Sequence, residues 1–216
     1  MEKTEFNFKE CTLSKLDKLF DLEIMDDIPP MTTWLTDDMV ISEVEKEILQ
    51  LYQRNLKQYV HDWNETELRQ HFIGPMFTLV DFSSKKIGLF SERHLKGVIN
   101  GITLKGNPDG MITSGFREPG QPYFCTSYAS QEYKRHRDPD GDPAGQCLAA
   151  MLVGQEMNQQ TFPLYGCHVI GADWYFMLLK GQEYAISPAY VATKDDIYDI
   201  FRRLKLLKRI IMELVS

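Results

Sequence analysis

"QPYFCTSYASQEYKRHRDPDGDPAGQCLAAMLVGQEMNQQ", residues 121–160, changes its periodicity midway. Residues 121–135 have the aromatic and β-branched content of a strand. "DPDGDPAG" (138–145) is a turn, in which Asp142 suits a helix N-cap and Pro143 the first helical position. Leu148, Met151, Leu152 and Met157 then recur at helical spacing. Directly downstream, "LYGCHVIGADWYFMLLKGQEYAIS" (164–187) returns to strand character, with a hairpin at Lys180-Gly181-Gln182. Strand, helix, strand is the unit around which the rest of the chain is read.

Upstream, "DGMITSG" (109–115) is a short strand, and 85–106 holds extended segments punctuated by glycine. Three helices are predicted before them. The first covers residues 8–24 and is broken by Pro29 and Pro30. The second starts near Thr36 or Asp37 and runs past Tyr59, with Val44, Ile48, Leu51, Tyr52 and Leu56 on one face. The third opens in "WNETELRQHFIGPMFTLVDF" (63–82), where Asn64 caps and Glu67 sits three residues on. A last helix covers about Asp195 to Leu214, its basic residues Arg202, Arg203, Lys205, Lys208 and Arg209 outward from an apolar stripe. The order predicts an α/β (α+β) fold: a mixed central sheet flanked by helices, with an N-terminal helical extension.

The 216 residues carry a net charge of −7, unevenly spread. The first fifty hold thirteen acidic and five basic residues, a net of −8, so the remainder is at +1. An acidic helical extension (1–56) is therefore set apart from a balanced domain (57–216), and the acidic total does not argue against a nucleic-acid partner for the latter. No apolar run of 18 residues exists, and "MEKTEFNFKEC" lacks the apolar centre of a signal peptide, so no membrane association and a cytoplasmic location are expected. Cys11, Cys125, Cys147 and Cys167 lack metal-site spacing and read as reduced, buried thiols.

Glu132 and Lys134 stand two apart, and on a strand they would share a face. In chain order, Asp109 starts the preceding strand and Glu65 lies on the helix before it. Carboxylates that meet at one point bind a hard cation such as Mg²⁺ (or Mn²⁺) and leave positions for water and phosphate. A lysine beside them orients or deprotonates the water, or stabilises charge on the phosphate. "DPDGDPAG" is not a calcium loop, because glycine sits at its fourth position and proline at its sixth. Cys147 and His168 read as core residues rather than a thiol and its base.

"NPDG" (107–110), "QEYK" (131–134) and Gln146 resemble the PD-(D/E)xK nuclease superfamily, the restriction-endonuclease-like fold. The helix "ETELRQHFIGPMFTLV" (65–80) is similar to the opening helix of the nuclease domain of type I restriction enzyme motor subunits. Glu65, Arg69, Ile73 and Pro75 fit its E-x-x-x-R-x-x-x-I-x-P-L pattern, and Met76 replaces the leucine. The resemblance, over about residues 60–180, implies Asp109 and Glu132 as metal ligands and Lys134 as the catalytic lysine. It further implies Glu65 as an accessory acid and Gln146 beside the site. The expected function is hydrolysis of phosphodiester bonds in DNA (favoured) or RNA. The alternative is a catalytically inactive nuclease-fold module in nucleic-acid or protein binding. A protein partner at the acidic extension and a homodimer both stay open.

Overall fold

A computed structural model describes residues 4–115, 117–129 and 142–215. The chain runs β1 (Glu5–Asn7), a 3₁₀ turn (Phe8–Glu10), α1 (Leu13–Phe20), β2 (Glu23–Ile24), α2 (Pro29–Thr36) and α3 (Glu43–Tyr59). Then come α4 (Glu65–Leu68), a π-turn (Arg69–Ile73), α5 (Gly74–Val80), β3 (Ile87–Phe90), β4 (Leu95–Ile99), β5 (Ile102–Gly106), β6 (Gly110–Ser114) and β7 (Pro122–Ala129). The last part holds α6 (Pro143–Met157), β8 (Leu164–Ile170), β9 (Asp173–Lys180), β10 (Glu183–Ile186), β11 (Tyr190–Val191) and α7 (Asp196–Leu214).

The main sheet has the order β2-β10-β9-β8-β7-β6-β3, with β11 pairing β9. β3, β6 and β7 form an antiparallel meander, β8 lies parallel to β7, and β8, β9 and β10 are again antiparallel. The one parallel step within this path of β3 and β6–β10 is spanned by α6, because a parallel return needs a long crossover. The predicted mixed sheet flanked by helices is the observed architecture. Along β7–β9, alternate side chains feed two separate cores. Phe124, Tyr165, Cys167, Val169, Phe176 and Leu178 face α2–α5 and α7. Cys125, Leu164, Met177 and Leu179 face α1 and α6.

Helix α6 is apolar around its circumference, as suits a helix covered on every side. It lies between the main sheet and a second sheet of order β1-β5-β4. Close approach is permitted by glycine: a Cβ on Gly145 would stand 2.4 Å from the Cys11 carbonyl oxygen. Asp142 departs from its predicted role. It makes no side-chain bond to its own helix; its carboxylate accepts the Leu13 N–H at 2.9 Å, serving the first turn of α1.

Several N-terminal expectations are corrected. The helix predicted over 8–24 is a 3₁₀ turn plus α1, preceded and followed by strands. Pro29 and Pro30 open α2 rather than only ending a helix, because proline's missing N–H costs nothing in a first turn. α3 begins at Glu43, where Ser42 and Glu45 form a capping box. Its packed face holds Leu49 and Leu56, while Val44 is 66% exposed. The 56/57 boundary drawn from charge falls inside α3. β1 pairs with β5, β2 with β10, and Trp34, Leu49 and Leu56 are fully buried among residues of the sheet and α7. The acidic segment thus shares its core with the rest of the chain.

The outward basic face predicted for α7 is likewise altered. Arg203 is buried and donates to the Trp34 and Asp37 carbonyls at 3.2 and 2.6 Å. Arg202 pairs with Asp38, Lys205 with Glu45, and Arg209 with Asp37. The acidic stretch after α2 and the basic last helix neutralise each other, so those cations are engaged within the molecule. No helix among the described residues is long and apolar enough to cross a membrane.

Candidate active site

Asn64 and Glu67 cap α4 reciprocally, which fixes Glu65 at the first position of the helix. Proline at 75 has no N–H for a normal helical bond, and the turn before it widens: the Gly74 N–H reaches back to the Arg69 carbonyl. Arg69, at the start of that wide turn, pairs with Glu92 from the β3–β4 connection. Glu92 has a left-handed backbone (φ 53°), and its N–H bonds the Pro108 carbonyl. That bond ties the connection to the loop that carries Asp109. Asp109 immediately precedes β6, and its Oδ2 accepts the Tyr128 N–H of β7 at 2.7 Å. Its carboxylate also accepts from the Ser127 hydroxyl.

These elements enclose a cleft of about 720 Å³ whose lining includes Glu65, Glu92, Asp109 and Gln146, with Lys9, Lys96 and Lys105 around them. Three of the five predicted site residues, Glu65, Asp109 and Gln146, are thereby brought together from α4, the β5–β6 loop and the first turn of α6. Glu132 and Lys134 lie outside the described residues; they follow Ala129, the last described residue of β7, by three and five positions. Glu92 and the lysines went unmarked in the sequence. The cross-strand pairing of Lys96 with Lys105 depends on the β4–β5 register, whose turn "NG" at 100–101 was the available signal.

The electrostatics favour a positive guest. Burial raises the Asp109 carboxyl above its usual range, against the lowering effect of the Tyr128 and Ser127 bonds. Glu65 has an exposed side chain at the rim, yet its carboxyl is also raised, by partial desolvation first and the Asp109 charge second. Asp109 in turn is raised further by the Glu92 charge, against the Arg69 guanidinium. Carboxylates in this state gain most from a cation between them. Among the described residues no group of three His, Cys, Asp or Glu gathers in metal-binding geometry. The described donors are the Glu65 and Asp109 carboxylates and the Gln146 amide, with Glu92 a third carboxylate already paired with Arg69. That set suits Mg²⁺, which takes few protein ligands and keeps waters.

The other two reactive-looking residues belong to the core. Cys147 is buried, and its thiol is pushed up to about 12 by desolvation. His168 is 6% exposed, stacks on Tyr175 at 4.6 Å, and is pushed down to about 4 by burial. A buried neutral imidazole makes the fold acid-sensitive. The unfolded chain takes up a proton near pH 6.5 and the folded one only near 4, so stability falls as pH drops through that window. The expected loss is about 3 kcal/mol between pH 7 and 4. Urea melts of wild type and His168→Gln across this range measure it; parallel slopes would refute it.

Comparison with protein-family models finds no match to the chain, and a search of curated proteins finds none either.

Proposed function

We propose that the chain is a Mg²⁺- or Mn²⁺-dependent nuclease that hydrolyses phosphodiester bonds, with DNA the favoured substrate, in the cytoplasm. The observation that carries this reading is the meeting of Glu65, Asp109 and Gln146, distant in sequence, at one cleft, where burial raises both carboxyls. The four cysteines are buried thiols, in keeping with a reducing compartment. The donor set is all oxygen, as a hard cation requires. Asp109 and Glu132 would hold the ion, which when bound polarises a phosphoryl oxygen and lowers the pKa of a water.

The chain's own residues do the rest. Tyr128 N–H and the Ser127 hydroxyl hold the Asp109 carboxylate in one orientation. Lys134 orients the attacking water or meets charge developing on the phosphate. Glu65, whose carboxyl is raised by burial, supports that water from the start of α4. Gln146 offers an amide from the first turn of α6.

The test is a cleavage assay on full-length protein with Mg²⁺ or Mn²⁺, beside calorimetric titration of each ion. Wild type should bind metal at up to millimolar concentration and cleave, and Lys134→Ala and Glu132→Gln should each lose roughly a hundredfold or more. Metal-dependent cleavage that survives both substitutions rejects the site. Absence of metal binding favours a non-catalytic binding module on the same fold.

A further inference from the structure

Next to the cleft, the groove between α3 and the α4–α5 segment carries rings that phosphodiester chemistry does not use. Tyr59 closes α3, Trp63 lies in the connection, and His71 lies in the π-turn. Tyr59 and Trp63 stack with centroids 5.8 Å apart and planes 24° apart; Trp63 and His71 follow at 5.4 Å and 35°. Together with Asn55 the rings line a concavity of about 290 Å³. Tyr59 is 42% exposed, and His71 is exposed as well. Leu49 and Leu56 anchor α3 to the core and Trp63 packs partly against it, which leaves Tyr59 and His71 as the exposed rings of the ladder.

Tyr52, Asn55 and Tyr59 recur at i, i+3 and i+7 and so share one face of α3. Tyr52, with Arg69, Gln70 and Glu92, lines the next concavity, of about 630 Å³. Glu92 also lines the carboxylate cleft. Gln70 of this concavity and His71 of the ring concavity are chain neighbours, which sets the rings, this concavity and the carboxylate cleft side by side. On the cleft's far side, Lys96 and Lys105 are direct cross-strand partners. Like charges so placed repel; the Glu5 carboxylate of β1 already pairs with Lys105, and an anion over Lys96 adds to that relief.

We infer that this run of surface is a track for a single-stranded polynucleotide, its bases stacking on the Tyr59–Trp63–His71 ladder and its phosphates reaching Lys96. The inference deepens the nuclease reading and rests on it for the position of the scissile bond. Bases in a duplex have their faces covered by their neighbours, whereas a free strand offers every face to a ring. Stacking is also indifferent to base identity, so little sequence preference is expected.

The experiment is fluorescence anisotropy of labelled oligothymidine, oligouridine and a DNA duplex with full-length protein in chelator, where no cleavage occurs. Either single strand should bind at least roughly tenfold more tightly than duplex, and the two arms separate DNA from RNA. Tyr59→Ala should weaken single-strand binding about tenfold with an unchanged melting curve, since Tyr59 is exposed. Lys96→Ala should reduce the salt slope by about one. His71→Ala serves as the second ladder variant should Tyr59→Ala melt early. Duplex bound as tightly as single strand, or ladder variants that bind like wild type, overturns the track. Ladder-dependent binding without metal-dependent cleavage keeps the track and rejects the nuclease. Cleavage indifferent to Tyr59→Ala does the reverse.

Discussion

Asp109→Asn should abolish the proposed metal-dependent cleavage, by on the order of a thousandfold, and leave the protein at least as stable as wild type at neutral pH. The rate effect follows from the proposed role. A carboxylate that holds the ion and stabilises charge in the transition state is worth several kcal/mol, and each factor of ten corresponds to about 1.4 kcal/mol. The stability effect follows from the site itself. Burial raises the Asp109 pKa, so the folded protein tolerates the neutral form better than the charged one. That advantage is fully present at low pH and is lost as pH rises through the raised pKa. Asparagine is neutral at every pH and keeps an oxygen to accept the Tyr128 N–H. Cleavage rates and thermal melts on the same preparation check both halves. An inactive variant that also melts early would mean that Asp109 serves the fold instead, and a fully active one would remove it from the site.

The second large effect concerns Trp34, in the acidic segment. Trp34→Ala should destabilise the entire protein by about 3–5 kcal/mol and lower its melting temperature by about 10 °C. The indole is fully buried and packs edge-on against Tyr165 and Phe176 of the main sheet, at 5.1 and 5.0 Å. Its Nε1–H donates to the Arg203 carbonyl at 2.9 Å, and the Arg203 guanidinium returns a bond to the Trp34 carbonyl. Removal leaves a cavity and takes the indole donor away from the Arg203 carbonyl, while the guanidinium keeps its bond to the backbone carbonyl of residue 34. Because the sheet and α7 share this contact, the melt should stay a single transition. Two separate transitions, or a Trp34→Ala melt that matches wild type, would restore residues 1–56 as an independent extension.

The contrast between charge and packing in that segment explains what could be read early. Thirteen acids in fifty residues looked like an appendage, yet Asp37, Asp38 and Glu45 face Arg209, Arg202 and Lys205 more than 150 positions away. Composition averages along the chain and cannot see a partner that distant. Exposed pairs of this kind contribute little individually, so it is Trp34, Leu49 and Leu56 that fix the segment.

The sequence by itself determined the elements whose signals are local. The capping box at Asn64, the strand–helix–strand passage from β7 through α6 to β8, the hairpin at Gly181 and the span of α7 all follow from side-chain spacing within a few residues. It also singled out Glu65, Asp109, Gln146, Glu132 and Lys134 as one constellation, from chain order and a family resemblance. Only the tertiary structure decided that Glu65, Asp109 and Gln146 share a cleft, that β1 and β2 join two different sheets, that Arg203 points inward, and that Lys96 faces Lys105. Each of these depends on register or contact between segments far apart. Helix periodicity and capping depend on neighbours three or four residues away, whereas the meeting of distant segments is set by burial of two sheet faces at once, a property no window of sequence contains.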